Sequence, residues 1–594
     1  MEVTSNNYFF YHKLLKTNSM KFFKITALLF LLVVAAMSVQ AQNLKQYIPS
    51  DATFVVSMDL ANLDQKISFD KLREFDFYKE GMKEFDKEMS GEKKELAEAL
   101  KNPAAYGIDV MSETYMFGDI SKESSFFGVA FNISDSKKFS KFFKNSILPE
   151  AKGAVMGMTG KFQTMTEDGA TFAWNDKVGI IVGGEPNAGT DQSVVDGFVK
   201  KVLNGTPKNS IMTDMRFNKA TKGRKSDMRM WMDYNWVMEM QMGGNEMAGV
   251  PGMEAMMTAM KELYKDSDYL VEMNFNDGAV VMDSKMFMNK KASDMFAKMT
   301  EGDLNKNFFK YLPKNNLMGY FSMAMKTENF ADGMFQMFDP MIKEMGMTRE
   351  SMEGMALGAV NSMGLEMDAK GLYEIIRGDM VFAVTGMREF TIKKTQYDDD
   401  FNKVEVEAQQ MLPEVLAMMS YGREADLKKI IQMGVDAGAL TKVGDAFKVA
   451  IPMEELPMDM FLTMKDGILF ITNNTELATG KLKDGYSKSD RMTKDQQKLM
   501  KESGGAFFWD IPASLNAASE FAKEEGMNDK MAEKMLNVSK QSFESIVMKT
   551  DKKIKGSYNS EFKLNFANKK MNSLEQLFNY FNEMYMTAMN SGGM

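Results

Sequence analysis

Five blocks of sequence recur in the same order, displaced by roughly 250–290 residues, and such a period constrains the fold before any motif does. Ile48-Pro49-Ser50-Asp51 leads into the apolar run Thr53 to Met58, as Leu312-Pro313-Lys314-Asn315 leads into Leu317 to Met325. The β-rich run Phe126 to Ile133 and the helical stretch Ser136 to Ile147 match Met380 to Thr385 and, after an insertion, Glu424 to Met433. Phe172 to Val182 reads as two short strands around Asn175-Asp176, and Phe461 to Ile471 as two around Asp466-Gly467. Met228-Arg-Met-Trp-Met-Asp233 matches Ala506-Phe-Phe-Trp-Asp510. Val280 to Met288 runs into Asn289-Lys290-Lys291 and a helix, as Ser560 to Phe566 runs into Asn568-Lys569-Lys570 and a helix. Any α+β chain alternates such elements, but the shared order and the twin Asn-Lys-Lys junctions favour a duplication. The expected units are 42–305, with a sub-boundary near 205, and 306–594, with a sub-boundary near 490.

Local patterns set the class. Gln163 to Glu167, Asp168-Gly169 and Ala170 to Trp174 read as strand, tight turn, strand, because Asp-Gly supplies the positive φ angles of a type I′ turn. Asp277-Gly278 repeats the signal. Helices are expected at Asp70 to Met89, Gln192 to Leu203, Met253 to Tyr264, and Ala518 to Phe543 with a break near Gly526. Hairpins dominate over strict strand–helix–strand alternation. The expected fold is therefore α+β: two tandem pseudo-repeated units of mainly antiparallel sheet with helices packed on the sheets.

The N-terminus reads as an address. Lys21 and Lys24 precede the short apolar run Ile25 to Met37, and Val39-Gln40-Ala41 suits cleavage before Gln42. The run is too short for a relaxed transmembrane helix, which needs about 20 residues; an uncleaved anchor is the rival reading. A positive n-region works best at a chain terminus, so residues 1–19 read as an upstream extension and 20–41 as the signal peptide. The expected location is periplasmic or secreted, with no transmembrane span after cleavage.

Composition excludes much chemistry. The 594 residues include no Cys and one His, His12, which lies upstream of the expected cleavage point. Thiol catalysis, disulfides, Cys or His metal sites and lipidation of a new N-terminal Cys are thereby excluded. Beyond Ala41 the chain carries 69 basic and 81 acidic residues, a net charge of −12, which gives no electrostatic reason to bind nucleic acid. No Walker loop occurs. Ser-x-x-Lys at Ser68–Lys71, Ser90–Lys93 and Ser134–Lys137 lacks the companion elements of a Ser-Lys hydrolase, and helix capping explains Ser68 and Ser134 better. Tyr397-Asp398-Asp399-Asp400 lacks the alternation and closing Glu of a calcium loop and reads as solvated. Trp174, Trp231, Trp236 and Trp509 read as core rather than as sugar-stacking platforms.

Methionine is the anomaly: 63 Met stand against 37 Leu. Thioethers are Cu(I) ligands, and Met228, Met230, Met232, Met238, Met240, Met242, Met247, Met253, Met256, Met257 and Met260 crowd one region. Yet Met228, Met230 and Met232 alternate as on one strand face, and Met253, Met256, Met257 and Met260 keep helical spacing. Met as an unbranched core filler accounts for both patterns. A flexible apolar binding surface and copper binding are the alternatives. No catalytic, cofactor-binding or metal site is assigned.

The segment from Tyr47-Ile-Pro-Ser-Asp to Leu60, then Phe69-Asp-Lys-Leu and Phe75-Asp-Phe-Tyr-Lys79, resembles a family of exported Bacteroidota envelope proteins known as domain of unknown function 4836. Gly107-Ile-Asp109 and Arg377-Gly-Asp-Met-Val-Phe-Ala383 also look like it. The resemblance implies an extracytoplasmic address and a duplicated α+β architecture, and transfers no activity. Many relatives look like lipoproteins, from which this Cys-free chain departs. The expected function is a non-enzymatic binding or scaffold protein for a protein, peptide or glycan. The alternative is a carboxylate-dependent hydrolase of envelope polymers, which needs two acidic side chains about 5–10 Å apart in a cleft.

Overall fold

The computed structural model describes residues 43–88, 98–99, 102–109, 112–120, 124–148, 153–167, 169–186, 192–242, 252–397, 403–450, 458–478, 484–524 and 530–590. The upstream extension, the signal segment, Ser90–Lys93, Asp168, Met247 and Asp398 to Asp400 lie outside them. The fold is α+β, with antiparallel sheets and helices. It divides into two compact units. Of the described residues, the first unit takes those up to Met240, Asp266–Asn276 and Asn572–Met586, and the second takes those within Gln241–Lys265, Asp277–Met571 and from Thr587 to Asn590.

The first unit is built on β1 (Phe54–Asp59), β2 (Ile108–Asp109), β3 (Glu113–Ile120), β4 (Ser124–Ile133), β5 (Val155–Thr159), β6 (Phe162–Glu167), β7 (Ala170–Trp174), β8 (Val178–Pro186), β9 (Met228–Asp233) and β10 (Asp268–Asn276). Their order is β10–β9–β1–β3–β4–β8–β7–β6–β5, antiparallel throughout, and the short β2 also pairs with β4. Period-2 patterning sends one side chain in two to the core. Trp174 packs its ring 4.1 Å from Phe143, which lies 4.9 Å from Phe172, and Leu60, Ile108, Phe131 and Phe139 join the same cluster. Gly128 is required where it stands: a Cβ there would meet the Phe117 ring of the paired strand at 2.4 Å. The expected single helix at Asp70 to Met89 is two, Phe69–Glu74 and Asp76–Glu88, broken at the extended Phe75. Asn582, on the helix Ser573–Asn590, accepts hydrogen bonds from the amides of Asp76 (2.7 Å) and Phe77 (3.2 Å), so the second piece is capped from outside its own segment. Ser68 caps the first piece as expected, accepting from Lys71 N; before the helix Ser136–Phe142 the cap is Asp135, not Ser134.

The second unit contains β11 (Ala279–Phe287), β12 (Gly319–Met323), β13 (Ile376–Tyr397), β14 (Lys403–Tyr421), β15 (Leu440–Val443), β16 (Ala446–Val449), β17 (Phe461–Lys465), β18 (Ile468–Thr472), β19 (Ser503–Asp510), β20 (Phe543–Asp551) and β21 (Ser557–Phe566). Their order is β11–β21–β20–β19–β12–β13–β14–β18–β17–β16–β15, again antiparallel. The inserted segment after Thr385 is an extension of the β13–β14 hairpin, paired from Gly386↔Glu414 to Tyr397↔Lys403. Asp466 and Gly467 turn β17 into β18 with φ of +53° and +75°, the double positive φ of a type I′ turn. One sheet face carries Tyr320, Val381, Ala383, Leu416, Met418, Ile468, Phe470 and Ala506 into a core completed by Phe308, Tyr311 and Leu312.

Candidate functional site

The other face of the second sheet is only partly covered. In β12 the alternation puts Tyr320 and Ser322 in the core and leaves Phe321 41% exposed. Phe321 stands opposite Phe382 of β13 on one side and Phe507 of β19 on the other. Phe507 is opposite Met548, Met548 opposite Phe562, and Phe562 opposite Met282. Residues directly opposite one another share a face, so six large apolar side chains form one row across six strands, about 24 Å long at about 4.8 Å per strand. Phe382 and Met548 are 46% and 42% exposed. Beside the row, Phe296 and Met299 of the helix Lys290–Met299 and Phe330 of the helix Thr327–Glu344 wall a groove of about 350 Å³. Gly504 and Gly505 contribute no side chain to that groove, which keeps its floor low. Trp509, two residues beyond Phe507 on the same face, is parallel to it with centroids 6.3 Å apart. It belongs to this half-open face, whereas Trp174 and Trp231 are core.

The first unit has a similar face. Met58, Met228 and Met273 are cross-strand neighbours, as are Val56, Met230 and Val271, and Phe54, Met232 and Tyr269; all are half-buried. Met228, Met230 and Met232 do alternate on one strand face, but it is the half-covered one; the buried face of β9 is set by Trp231. Trp236 sits on a helix with its ring 5.9 Å from Phe54. Met256 and Met260 are buried in the helix Met253–Leu263 of the second unit. Met228, Met230 and Met232 are thus half-buried in the first unit, and Met256 and Met260 are buried in the second. Among the described residues no group of three or more His, Cys, Asp or Glu is placed to hold a metal ion.

Two cavities carry acidic side chains of the kind that hydrolysis needs in pairs. A cavity of about 460 Å³ in the second unit contains Arg349, which bonds Asp332 at 2.7 Å and Glu353 at 2.6 Å and lies 5.0 Å from the Phe335 ring centroid. Tyr373 also donates to Glu353, at 2.9 Å. Burial opposes charge on Asp332, but hydrogen bonds from Lys298 and Arg349 outweigh it and hold the carboxyl below its ordinary value. This group is internally satisfied and clamps helices together. A second cavity, about 520 Å³ in the first unit, contains Asp59 and Glu113, which are opposite each other in the β1–β3 pair. Both are already engaged: Asp59 accepts from Asn62 N at 3.0 Å, and Glu113 accepts from the Tyr115 hydroxyl. Deeper in this unit, burial pushes the Asp268 carboxyl up to about 7 against the pull of Arg216. Asp268 is 3% exposed and its Oδ1 has no hydrogen-bond partner.

Fold and face together define an α+β protein of two antiparallel-sheet units with half-open faces rich in methionine and phenylalanine. Among its described residues no helix is long and apolar enough to cross a membrane. The chain belongs to the family described as "Domain of unknown function (DUF4836)", which matches residues 44–574. No match is found among curated proteins. Similar solved structures include crystal form IV of TP0453, 9% identical over 42% of this chain and 81% of that one with a TM-score of 0.24. Crystal form III of TP0453 is 8% identical over 45% and 90%, with a TM-score of 0.22.

Proposed function

We propose that this is an exported, non-enzymatic envelope protein that binds a partner, and that the half-open face of the second sheet seats an apolar segment of a protein or peptide. The supporting observation is the row Met282–Phe562–Met548–Phe507–Phe321–Phe382 with its adjoining groove. Contiguous exposed apolar surface on a protein mostly marks an interaction site, and methionine adapts its shape to varied partners. A glycan needs polar partners along its length, and this groove is lined mainly by Phe, Met, Ala and Gly. Peptide selection on the purified protein tests the reading: sequences with bulky apolar anchors should be enriched and should lose binding to Phe321→Glu. No enrichment, or equal binding to that variant, contradicts it.

Export is supported by the charged, apolar and small-residue succession of 20–41. N-terminal sequencing of protein from the envelope fraction should begin at Gln42; Met1 or Met20 in that fraction would contradict cleavage. Duplication is supported by the strand orders. The run β10–β9–β1–β3–β4–β8–β7–β6–β5 has the same logic as β20–β19–β12–β13–β14–β18–β17–β16–β15. In a crystal structure these nine pairs of strands should overlay; a different crossover order in one run contradicts common descent.

A further inference from the structure

We propose that the 520 Å³ cavity of the first unit is a phosphate-binding site, independent of the apolar face. The turn between Thr221 and Ser226 carries Lys222, Arg224 and Lys225, β9 adds Arg229, and the turn Leu44–Tyr47 adds Lys45. Against these five cations the lining sets only Asp59 and Glu113, in a chain whose overall charge is −9. A concave surface with an excess of positive charge in a protein of net negative charge focuses potential on an incoming anion. The arginines are fixed in place: Arg224 bonds Glu272 at 2.6 Å, and Arg229 bonds Glu272 at 3.4 Å and the Arg224 carbonyl at 2.8 Å. The side-chain ammonium groups of Lys222 and Lys225 have no ionic or hydrogen-bonding partner among the described residues.

A second observation points the same way. Ser226 lines the cavity, is only 9% exposed, and its hydroxyl has no partner. Buried hydroxyls are nearly always satisfied, and the Ser226 hydroxyl beside these cations is not. A tetrahedral oxyanion offers acceptors to this hydroxyl and to the lysine amines together, with charge-assisted bonds to the latter. At the tip of the turn, Gly223 has φ of +69° and nothing within 4 Å of where a Cβ would lie, so the approach is open.

The phosphate can come from a soluble ester or from a lipid headgroup, and the test separates these sources. Calorimetric titration of the purified protein with inorganic phosphate at low ionic strength should give saturable binding. Lys222→Gln/Lys225→Gln should weaken it by at least about tenfold, as loss of charge-assisted bonds does, and Ser226→Ala should weaken it by a smaller factor. Glucose 1-phosphate binding without vesicle association assigns a soluble ester. Co-sedimentation with phosphatidylglycerol vesicles that is lost in the double variant assigns a headgroup. Absence of saturable phosphate binding, or unchanged affinity in the double variant with its thermal midpoint preserved, overturns the proposal.

Discussion

Phe321 of β12 lies directly across from Phe507 of β19, and both rings project to the side of the sheet away from buried Tyr320. Two phenylalanines in register on a half-open face gain little from folding compared with core residues, which makes the pair a probe of binding rather than of stability. Phe321→Ala should change stability by less than about 1 kcal/mol, as substitutions outside a core do. It should lower the fluorescence of bound anilinonaphthalene sulfonate. A large fall in thermal midpoint would instead place Phe321 in the core.

Trp174 is the contrasting case, at 2% exposure among Phe143 and Phe172. Trp174→Ala removes a fully buried ring and should destabilise the first unit by about 3–5 kcal/mol. Urea unfolding followed by tryptophan fluorescence measures this.

Asp227 is buried with no side-chain exposure, and it accepts from Asn62 Nδ2, Lys66 Nζ and, at 2.6 Å, the amide of Phe275. Asp227→Ala leaves the Lys66 ammonium, 17% exposed, and an amide without their acceptor. The expected cost is about 3–5 kcal/mol. Asp227→Asn keeps an acceptor and should recover part of it in the same denaturation assay.

Asp268 gives a pH dependence with a definite sign. Its carboxyl titrates near 7 in the folded state against an ordinary value of 3.8. Between those values the folded state holds a proton that the unfolded chain has released, so its contribution is full below about 4 and is lost as pH rises toward 7. The loss is on the order of 2–4 kcal/mol. Asp268→Asn should flatten this part of the stability–pH curve; an unchanged slope in the variant rules Asp268 out as its source.

Much of the fold is legible in the sequence where local chemistry decides it. Asp466-Gly467 and Gln192 to Leu203 are found where turn chemistry and helical period put them. The break at Phe75 is not legible, because the residue that caps the following helix, Asn582, lies some 500 positions away. The face occupied by Met228, Met230 and Met232 is hidden for a related reason. Alternation says that they share a side, but whether that side is core depends on which side Trp231 takes. The row of four phenylalanines and two methionines is not legible because its members come from six strands, and only register brings Phe382, Phe321 and Phe507 into line. Period-2 patterning within Tyr320-Phe321-Ser322, with an aromatic on both faces, was the one available signal.

The most direct test of the account is peptide binding to the purified protein compared with Phe321→Glu/Phe330→Glu, both proteins being verified as equally folded by circular dichroism. The account predicts that apolar-anchored peptides bind the unaltered protein and lose at least about tenfold in affinity to the double variant, the scale of a removed apolar anchor. Equal binding to both proteins, or none to either, would contradict a ligand seat on this face.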